Sequence, residues 1–307
     1  MAPLIWLVTG TTSGIGRSLV EHIISRGDKV IASGRKVEER LGSLKSDSFA
    51  LLELDISAGR REITTKVKEA WEIFGHIDIL LNNAGVSAMK SAEEAEDDYI
   101  ANMFQVNLFG QMHVTQAILP FMRAQGHGRI GFTSSSSAWT PLPFMSHYAA
   151  SKAALSAYIE SLHKELRPLG IDCVAFECGG FPTHLGQPRA EGDSTFGGGV
   201  DEGIKDYVPG FGKLVGMFMS DPMEFMPGDL SKVAPRIVDI MKREGVAAGR
   251  PWAVHIFFGS DAYNSTKQKL EEVFRLAEEW KDVAYSTDRE EHSHLLNKQY
   301  AEAVSIL

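Results

Sequence analysis

Leu4-Ile5-Trp6-Leu7-Val8-Thr9-Gly10-Thr11-Thr12-Ser13-Gly14-Ile15-Gly16 is the stretch that decides the fold. Leu4–Val8 is apolar at every position, as a strand covered on both faces must be, and Ile15–Arg26 then carries the spacing of an amphipathic helix. Glycines between strand and helix let the backbone turn tightly and approach a ligand, while the opening of the helix offers unpaired N–H donors to a pyrophosphate. Gly10, Thr12, Ser13, Gly14, Ile15 and Gly16 are therefore the candidate phosphate cradle. The spacing Gly-x-x-x-Gly-x-Gly differs from Gly-x-Gly-x-x-Gly, and a glycine turn can also be no more than a turn.

Working outward, the same alternation repeats. Apolar runs at Leu4–Val8, Lys29–Ser33, Ala50–Leu54, Ile77–Leu81, Ile130–Thr133, Asp172–Phe176 and Ala253–Phe258 read as strands. Helical patterns lie near Ile15–Arg26, Arg61–Phe74, Asp98–Met122, Tyr148–Leu166 and Ser231–Arg243. Strands apolar on both faces and separated by helices predict an α/β fold, a doubly wound, Rossmann-like parallel sheet of about seven strands with helices on both faces.

Residues 1–259 are expected to form one such domain. Within it, 180–228 breaks the rhythm with Gly197-Gly198-Gly199 and with Phe196, Phe211, Leu214, Met217, Phe218, Met219, Met223, Phe225 and Met226. That length is unusual for a connection, which points to a lobe covering a substrate or to an insertion with its own small core. Residues 260–307 read as a helical extension; in Thr266–Trp280 a stripe of Leu270, Val273, Phe274, Ala277 and Trp280 docks on the body or meets another subunit.

The apolar fraction of 44% is ample for a buried core, and the net charge of −9 offers no footprint for nucleic acid. Cys173 and Cys178 fall on opposite faces of one extended segment roughly 16 Å apart, too far for a disulfide. Met1–Val8 is too short for a signal-peptide core, no apolar run is long enough to span a membrane, and Ser305-Ile306-Leu307 lacks the basic residue of a peroxisomal address. A cytoplasmic location is expected. His292 and His294 lack a third placed ligand, so no metal site is expected.

The candidate chemistry centres on Tyr148, with Lys152 one helical turn on and Ser135 thirteen residues before it. Seven tyrosines and thirty-one basic residues give roughly 0.7 chance occurrences of a tyrosine four residues ahead of a base, so context must decide. Tyr263 with Lys267 and Tyr285 with Arg289 are two such coincidences, but neither has a serine thirteen residues upstream. A free phenol titrates near 10, and lowering it by about three units takes roughly 4 kcal/mol, which an ammonium at about 4 Å can deliver. Tyr148 is then a proton donor or acceptor, and Ser135 can donate to a carbonyl oxygen as charge develops there.

Other positions fit a dinucleotide. The second strand ends at Ala32-Ser33-Gly34-Arg35 with no acid to receive a ribose 2′-hydroxyl, and the Arg35 guanidinium suits a 2′-phosphate, with Lys36 in support. Asp55 can accept from an adenine amino group or cap a helix with Ser57. Asn82-Asn83-Ala84-Gly85 closes the fourth strand, where Asn83, Ala84 and Gly85 would border the cofactor or simply make a turn. Asn107 sits among apolar neighbours in a helical pattern and wants partners; it can bond locally or hold a water feeding the site.

On the glycine motif, Asn82–Gly85, Asn107, Ser135 and Tyr148-x-x-x-Lys152, the chain resembles the short-chain dehydrogenase/reductase family from roughly Leu4 to Gly259. The resemblance implies that Ser135, Tyr148 and Lys152 are catalytic, that Asn107 supports a proton relay, and that Lys152 also binds the nicotinamide ribose. It implies hydride transfer with NADP(H), given Arg35, between the nicotinamide and a carbonyl or alcohol carbon. Relatives often dimerise through the tyrosine-bearing helix, which carries Ala149, Ala150, Ala153, Ala154 and Ala157 here; so many alanines permit close packing, either within the fold or with another copy as a homodimer or homotetramer. One departure stands out: Glu177-Cys178-Gly179-Gly180-Phe181-Pro182-Thr183 places Cys178 at the family's usual proline, with Thr183 at the position that meets the carboxamide. Ser13 also replaces a basic residue found in some NADPH-dependent relatives. The extension resembles that of a longer microbial subgroup.

The expected function is thus a reversible NADPH-dependent reductase of a fairly hydrophobic ketone or aldehyde. The competing readings are a non-redox isomerase or dehydratase that uses the same cofactor, and a catalytically silent NADP(H)-binding regulator.

Overall fold

The computed structural model describes residues 2–183, 185, 203–220 and 226–289. In chain order the elements are β1 (Ile5–Thr9), α1 (Gly14–Ser25), β2 (Lys29–Gly34), α2 (Val37–Leu41), β3 (Phe49–Glu53), α3 (Arg60–Phe74) and β4 (Ile79–Asn82). They continue as α4 (Asp97–Phe104), α5 (Gly110–Gln125), β5 (Gly128–Thr133), α6 (Ser146–Leu166), β6 (Ile171–Cys178) and α7 (Val208–Ser220). The last are α8 (Leu230–Lys242), β7 (His255–Phe258), α9 (Ser260–Glu279) and α10 (Lys281–Tyr285).

The strands form one sheet in the order β3-β2-β1-β4-β5-β6-β7, and every neighbouring pair is parallel. This is the doubly wound, Rossmann-like sheet expected from the sequence. Strand alternation sorts β1 between two cores. Ile5 and Leu7 face a core shared with Val67 of α3, Val114 of α5 and Leu155 of α6, whereas Trp6 and Val8 face one shared with Leu19 of α1 and Ile237 of α8. Each such fully buried side chain contributes about 1.5–3 kcal/mol. The winding direction reverses between β1 and β4, which opens a crevice at the carboxyl ends of those strands.

Element ends shift by up to two residues from the sequence reading in most places, and three differences are physical. The single helix expected over Asp98–Met122 is α4 and α5 joined by a π-helical turn at Gln105–Phe109, which contains Asn107. α7 was not foreseen as a helix. In α9, Ala262 and Thr266 are buried against the body, but the stripe beyond them faces solvent, with Phe274 at 70% and Trp280 at 64% exposure. The sequence periodicity is that of a helix, yet periodicity does not say what covers the apolar face.

Within 180–228, Phe196, Gly197-Gly198-Gly199, Met223 and Phe225, and the side chains of Phe218 and Met219, lie outside the described residues, as do His292, His294 and Ser305-Ile306-Leu307. Phe211 of α7 packs edge-on against Phe144, with ring centroids 5.2 Å apart, and Tyr207 meets the same ring at 6.4 Å. Among the described residues no helix is long and apolar enough to cross a membrane, and no cluster of three His, Cys, Asp or Glu could hold a metal ion. Cys173 and Cys178 are buried free thiols.

Candidate active site

α6 begins at Ser146, so Tyr148 and Lys152 stand one turn apart on its inner face, both buried. Ser135 follows β5 in extended backbone, and its hydroxyl accepts the Ser137 N–H at 3.1 Å. The Tyr148 hydroxyl neighbours Ser135, whose hydroxyl acts to lower the phenol's pKa. Lys152 reaches β5 as well, donating from Nζ to the Thr133 carbonyl oxygen at 2.8 Å. The three candidate catalytic side chains thus converge at the carboxyl end of β5, close to the crevice.

Electrostatics differ from the sequence expectation of an acidified phenol. Burial pushes Tyr148 up to about 12, opposed by Ser135 and aided by Cys178 and Glu177. Burial pulls Lys152 down to about 8, with Cys178 and Glu177 opposing. Desolvation of both groups outweighs what the spacing of Tyr148 and Lys152 promises, because the charged form of each loses water on entering the protein.

The glycine turn is shaped by its neighbours. Gly10 has φ +69°, and a Cβ there would lie 2.7 Å from the Ala84 Cα; a Cβ on Gly16 would lie 2.3 Å from the Gly10 carbonyl oxygen. Asn83 locks this packing: its Nδ2 donates to the carbonyl oxygens of Thr9 at 3.1 Å and Gly10 at 3.2 Å, and its Oδ1 accepts from Thr133 at 3.1 Å. Ser13 is the N-cap of α1 without using its side chain, and Thr12, Gly14 and Ile15 complete the turn. Thr183 stands over the turn, its Cγ2 3.2 Å from where a Gly14 Cβ would be.

Arg35 is exposed just past β2, and its guanidinium makes no ion pair among the described residues. Asp55 has one carboxylate oxygen engaged by the Ser57 N–H at 2.8 Å and hydroxyl at 2.7 Å; this is a local turn, since the N-cap of α3 is Gly59. Asn107 exchanges hydrogen bonds with the Val86 backbone in both directions at 2.9 Å and donates to Ser151 at 3.1 Å. A Cβ on Gly85 would lie 3.3 Å from Asn107 Oδ1 and 3.7 Å from Lys152 Nζ. The amide therefore braces the chain after β4 against α6, a role the π-helical turn makes geometrically available. Tyr263 and Tyr285, the coincidental matches, are 58% and 55% exposed on α9 and α10.

Three neighbours were not foreseen. Arg40 of α2 donates to the Thr12 hydroxyl at 3.3 Å, a second cation beside the glycine turn. Glu177 is fully buried on β6, accepting from Ser156 at 2.9 Å and facing His255 Nδ1 at 2.9 Å; Ser156 also lies 2.8 Å from Ser134. Phe144 adopts φ 63° four residues ahead of Tyr148 and turns its ring toward α7. Only Phe144, in Pro-Leu-Pro-Phe, has any local signal, and side-chain meetings across distant elements carry none.

These strand-end residues and the 3-2-1-4-5-6-7 sheet define a Rossmann-like α/β protein with its candidate site at the switch point. The chain belongs to the short chain dehydrogenase family, whose model matches residues 5–194. It is 36% identical over 177 residues to 11-beta-hydroxysteroid dehydrogenase A of Sesamum indicum, covering 55% of this chain and 50% of that protein. The chain thus spans about half the length of that curated relative. A short-chain dehydrogenase from Streptomyces avermitilis superposes with a TM-score of 0.80 at 28% identity, covering 94% of this chain and 99% of that one. A short chain dehydrogenase from Burkholderia cenocepacia J2315, in complex with NADP, shares the fold at a TM-score of 0.66 and 21% identity, covering 90% and 97%.

Proposed function

We propose that this chain is an NADP(H)-dependent oxidoreductase that reduces the ketone or aldehyde of a fairly hydrophobic small molecule and, in reverse, oxidises the alcohol. The observation that carries this reading is the convergence of Ser135, Tyr148 and Lys152 at the end of β5, beside a glycine turn too tight for side chains.

The residues present fit a dinucleotide. The turn from Gly10 through Thr12, Ser13, Gly14 and Ile15 to Gly16 would hold the pyrophosphate at the opening of α1, and Asn83, Ala84, Gly85 and Thr183 would border the rest, with Asp55 at the adenine end. Arg35 and Arg40 would take the 2′-phosphate, the finer choice that favours NADP(H). When bound, the nicotinamide supplies or accepts the hydride.

Tyr148 donates its proton to the carbonyl oxygen and Ser135 stabilises the charge growing there. Lys152 holds a positive charge next to both and would reach the nicotinamide ribose, while Asn107 fixes the backbone around them. A phenol at about 12 is protonated at neutral pH, as an acid must be, and ionising it at pH 7 costs about 7 kcal/mol. Phe144, four residues before Tyr148 in the chain, gathers Tyr207 and Phe211 against its ring, an aromatic cluster in keeping with an apolar substrate and with the hydroxysteroid in the sesame relative's name.

Residues 1–259 would be the catalytic domain, with 180–228 its covering lobe and 260–307 an extension. The outward Ala150, Ala153 and Ala157 of α6 offer a flat face for a second copy, and two unpaired cysteines fit a cytoplasmic setting.

Incubation with C4-deuterated NADPH and a panel of apolar ketones and aldehydes is expected to place deuterium in the product. Product without deuterium would assign a non-redox isomerase or dehydratase. Tight NADPH binding with no turnover across the panel would assign a silent regulator.

A further inference from the structure

We propose that Asp261, supplied by the first turn of the C-terminal helix, is the residue that holds the loop from Cys178 to Thr183 in its cofactor-receiving shape. The loop leaves β6 as Cys178-Gly179-Gly180, with no proline ring before Pro182 and with two adjacent glycines, the residues that lose most freedom on ordering. Its rigidity has to come from outside.

Asp261 Oδ2 accepts the Gly180 N–H at 2.7 Å. The carboxylate lies so close that a Cβ on Gly179 would come within 2.3 Å of Oδ2, and one on Gly259 within 2.2 Å of Oδ1. Both glycines are thus fitted around one side chain. Oδ1 is buried without a partner, an unfavourable position that a mere helix cap does not require. Phe258 and Gly228 complete the anchorage, the first accepting the Gly179 N–H at 2.8 Å and the second donating to the Gly180 carbonyl oxygen at 2.9 Å. Three residues beyond Gly180, Thr183 stands over the opening of α1. The root of the extension therefore fixes the far side of the glycine turn: Asp261 is a positioning residue acting through Thr183.

The inference rests on the cofactor site proposed above, and its test separates the two. Hydrogen exchange at the Gly180 amide reads the brace without any cofactor, and titration with NADPH reads its consequence. Asp261→Ala is expected to speed Gly180 exchange at least tenfold and to weaken NADPH binding about tenfold, with exchange in β1, β4 and β5 unchanged. Asp261→Asn, which keeps a neutral acceptor, should fall between Ala and wild type. Asp261→Ser, at ease in a first helical turn but short of Gly180, repeats the Ala test if Ala fails to fold. Wild-type NADPH affinity in a folded Ala or Ser variant overturns the brace, as does unchanged Gly180 exchange. A wild-type chain that binds neither NADPH nor NADH overturns the cofactor site instead.

Discussion

Lys152 Nζ donates to the carbonyl oxygen of Thr133 at 2.8 Å, so the ammonium of α6 is tied to the end of β5, two residues before Ser135. This bond sets where a buried positive charge sits relative to Tyr148. It also explains how a lysine survives burial: the Thr133 carbonyl and the nearby carboxylate of Glu177 compensate part of the lost hydration.

Replacing Lys152 separates stability from activity. Its pKa falls from an ordinary 10.5 to about 8 through burial, so between those values the folded chain has released a proton that the unfolded chain retains. This group's contribution to stability rises with pH through that window, and below about 8 the buried ammonium costs about 3 kcal/mol. Lys152→Met is expected to be more stable than wild type at pH 7, by on the order of 2 kcal/mol in chemical denaturation, yet inactive. A less stable variant would show that the Thr133 bond outweighs desolvation.

For the wild-type enzyme, carbonyl reduction should decline as pH rises past about 8, where Lys152 loses its charge, while Tyr148, at about 12, stays protonated. A kcat/KM profile for NADPH oxidation between pH 6 and 10 measures this. A profile flat to pH 10 would remove the Lys152 charge from the rate-determining chemistry.

Tyr148→Phe removes the donor but keeps the ring. Turnover should drop by roughly 10²–10⁴, the range lost with a general acid, while NADPH affinity stays within about threefold. Near-normal turnover would take Tyr148 out of the mechanism.

Cofactor preference is addressed by Arg35→Asp, expected to favour NADH by placing a carboxylate where the 2′-phosphate would lie. Arg40→Ala should weaken NADPH more than NADH because Arg40 reaches the glycine turn at Thr12. Unchanged ratios of NADPH to NADH affinity in both variants would mean that other groups read the ribose.

Phe211→Ala opens the aromatic wall against Phe144. KM for apolar ketones is expected to rise several-fold with NADPH affinity unchanged, and an unaltered KM across the panel would detach α7 from substrate binding.

Much of the fold was legible because burial on both faces leaves a simple mark: Leu4–Val8 is apolar throughout, as is Ile79–Leu81, and helices lie between the strands. The short α2 and the helix α7 were missed because the first is too brief for a period to show and the second lies in a stretch whose methionines and aromatics suit any environment. Tyr148, Lys152 and Ser135 were legible because one helical turn and one strand-to-helix connection fix their intervals. Arg40, Glu177 and Asp261 were not, since each meets its partners across segments whose separation in sequence carries no regular spacing.

By itself the sequence determined the parallel sheet, the glycine turn and which side chains could meet at the end of β5, because strand burial and helical periodicity are local properties. Only the tertiary structure decided their protonation and their surroundings. Whether a phenol is acidified or pushed up to about 12 depends on how much water packing removes, and that is settled by residues brought together from the whole length of the chain.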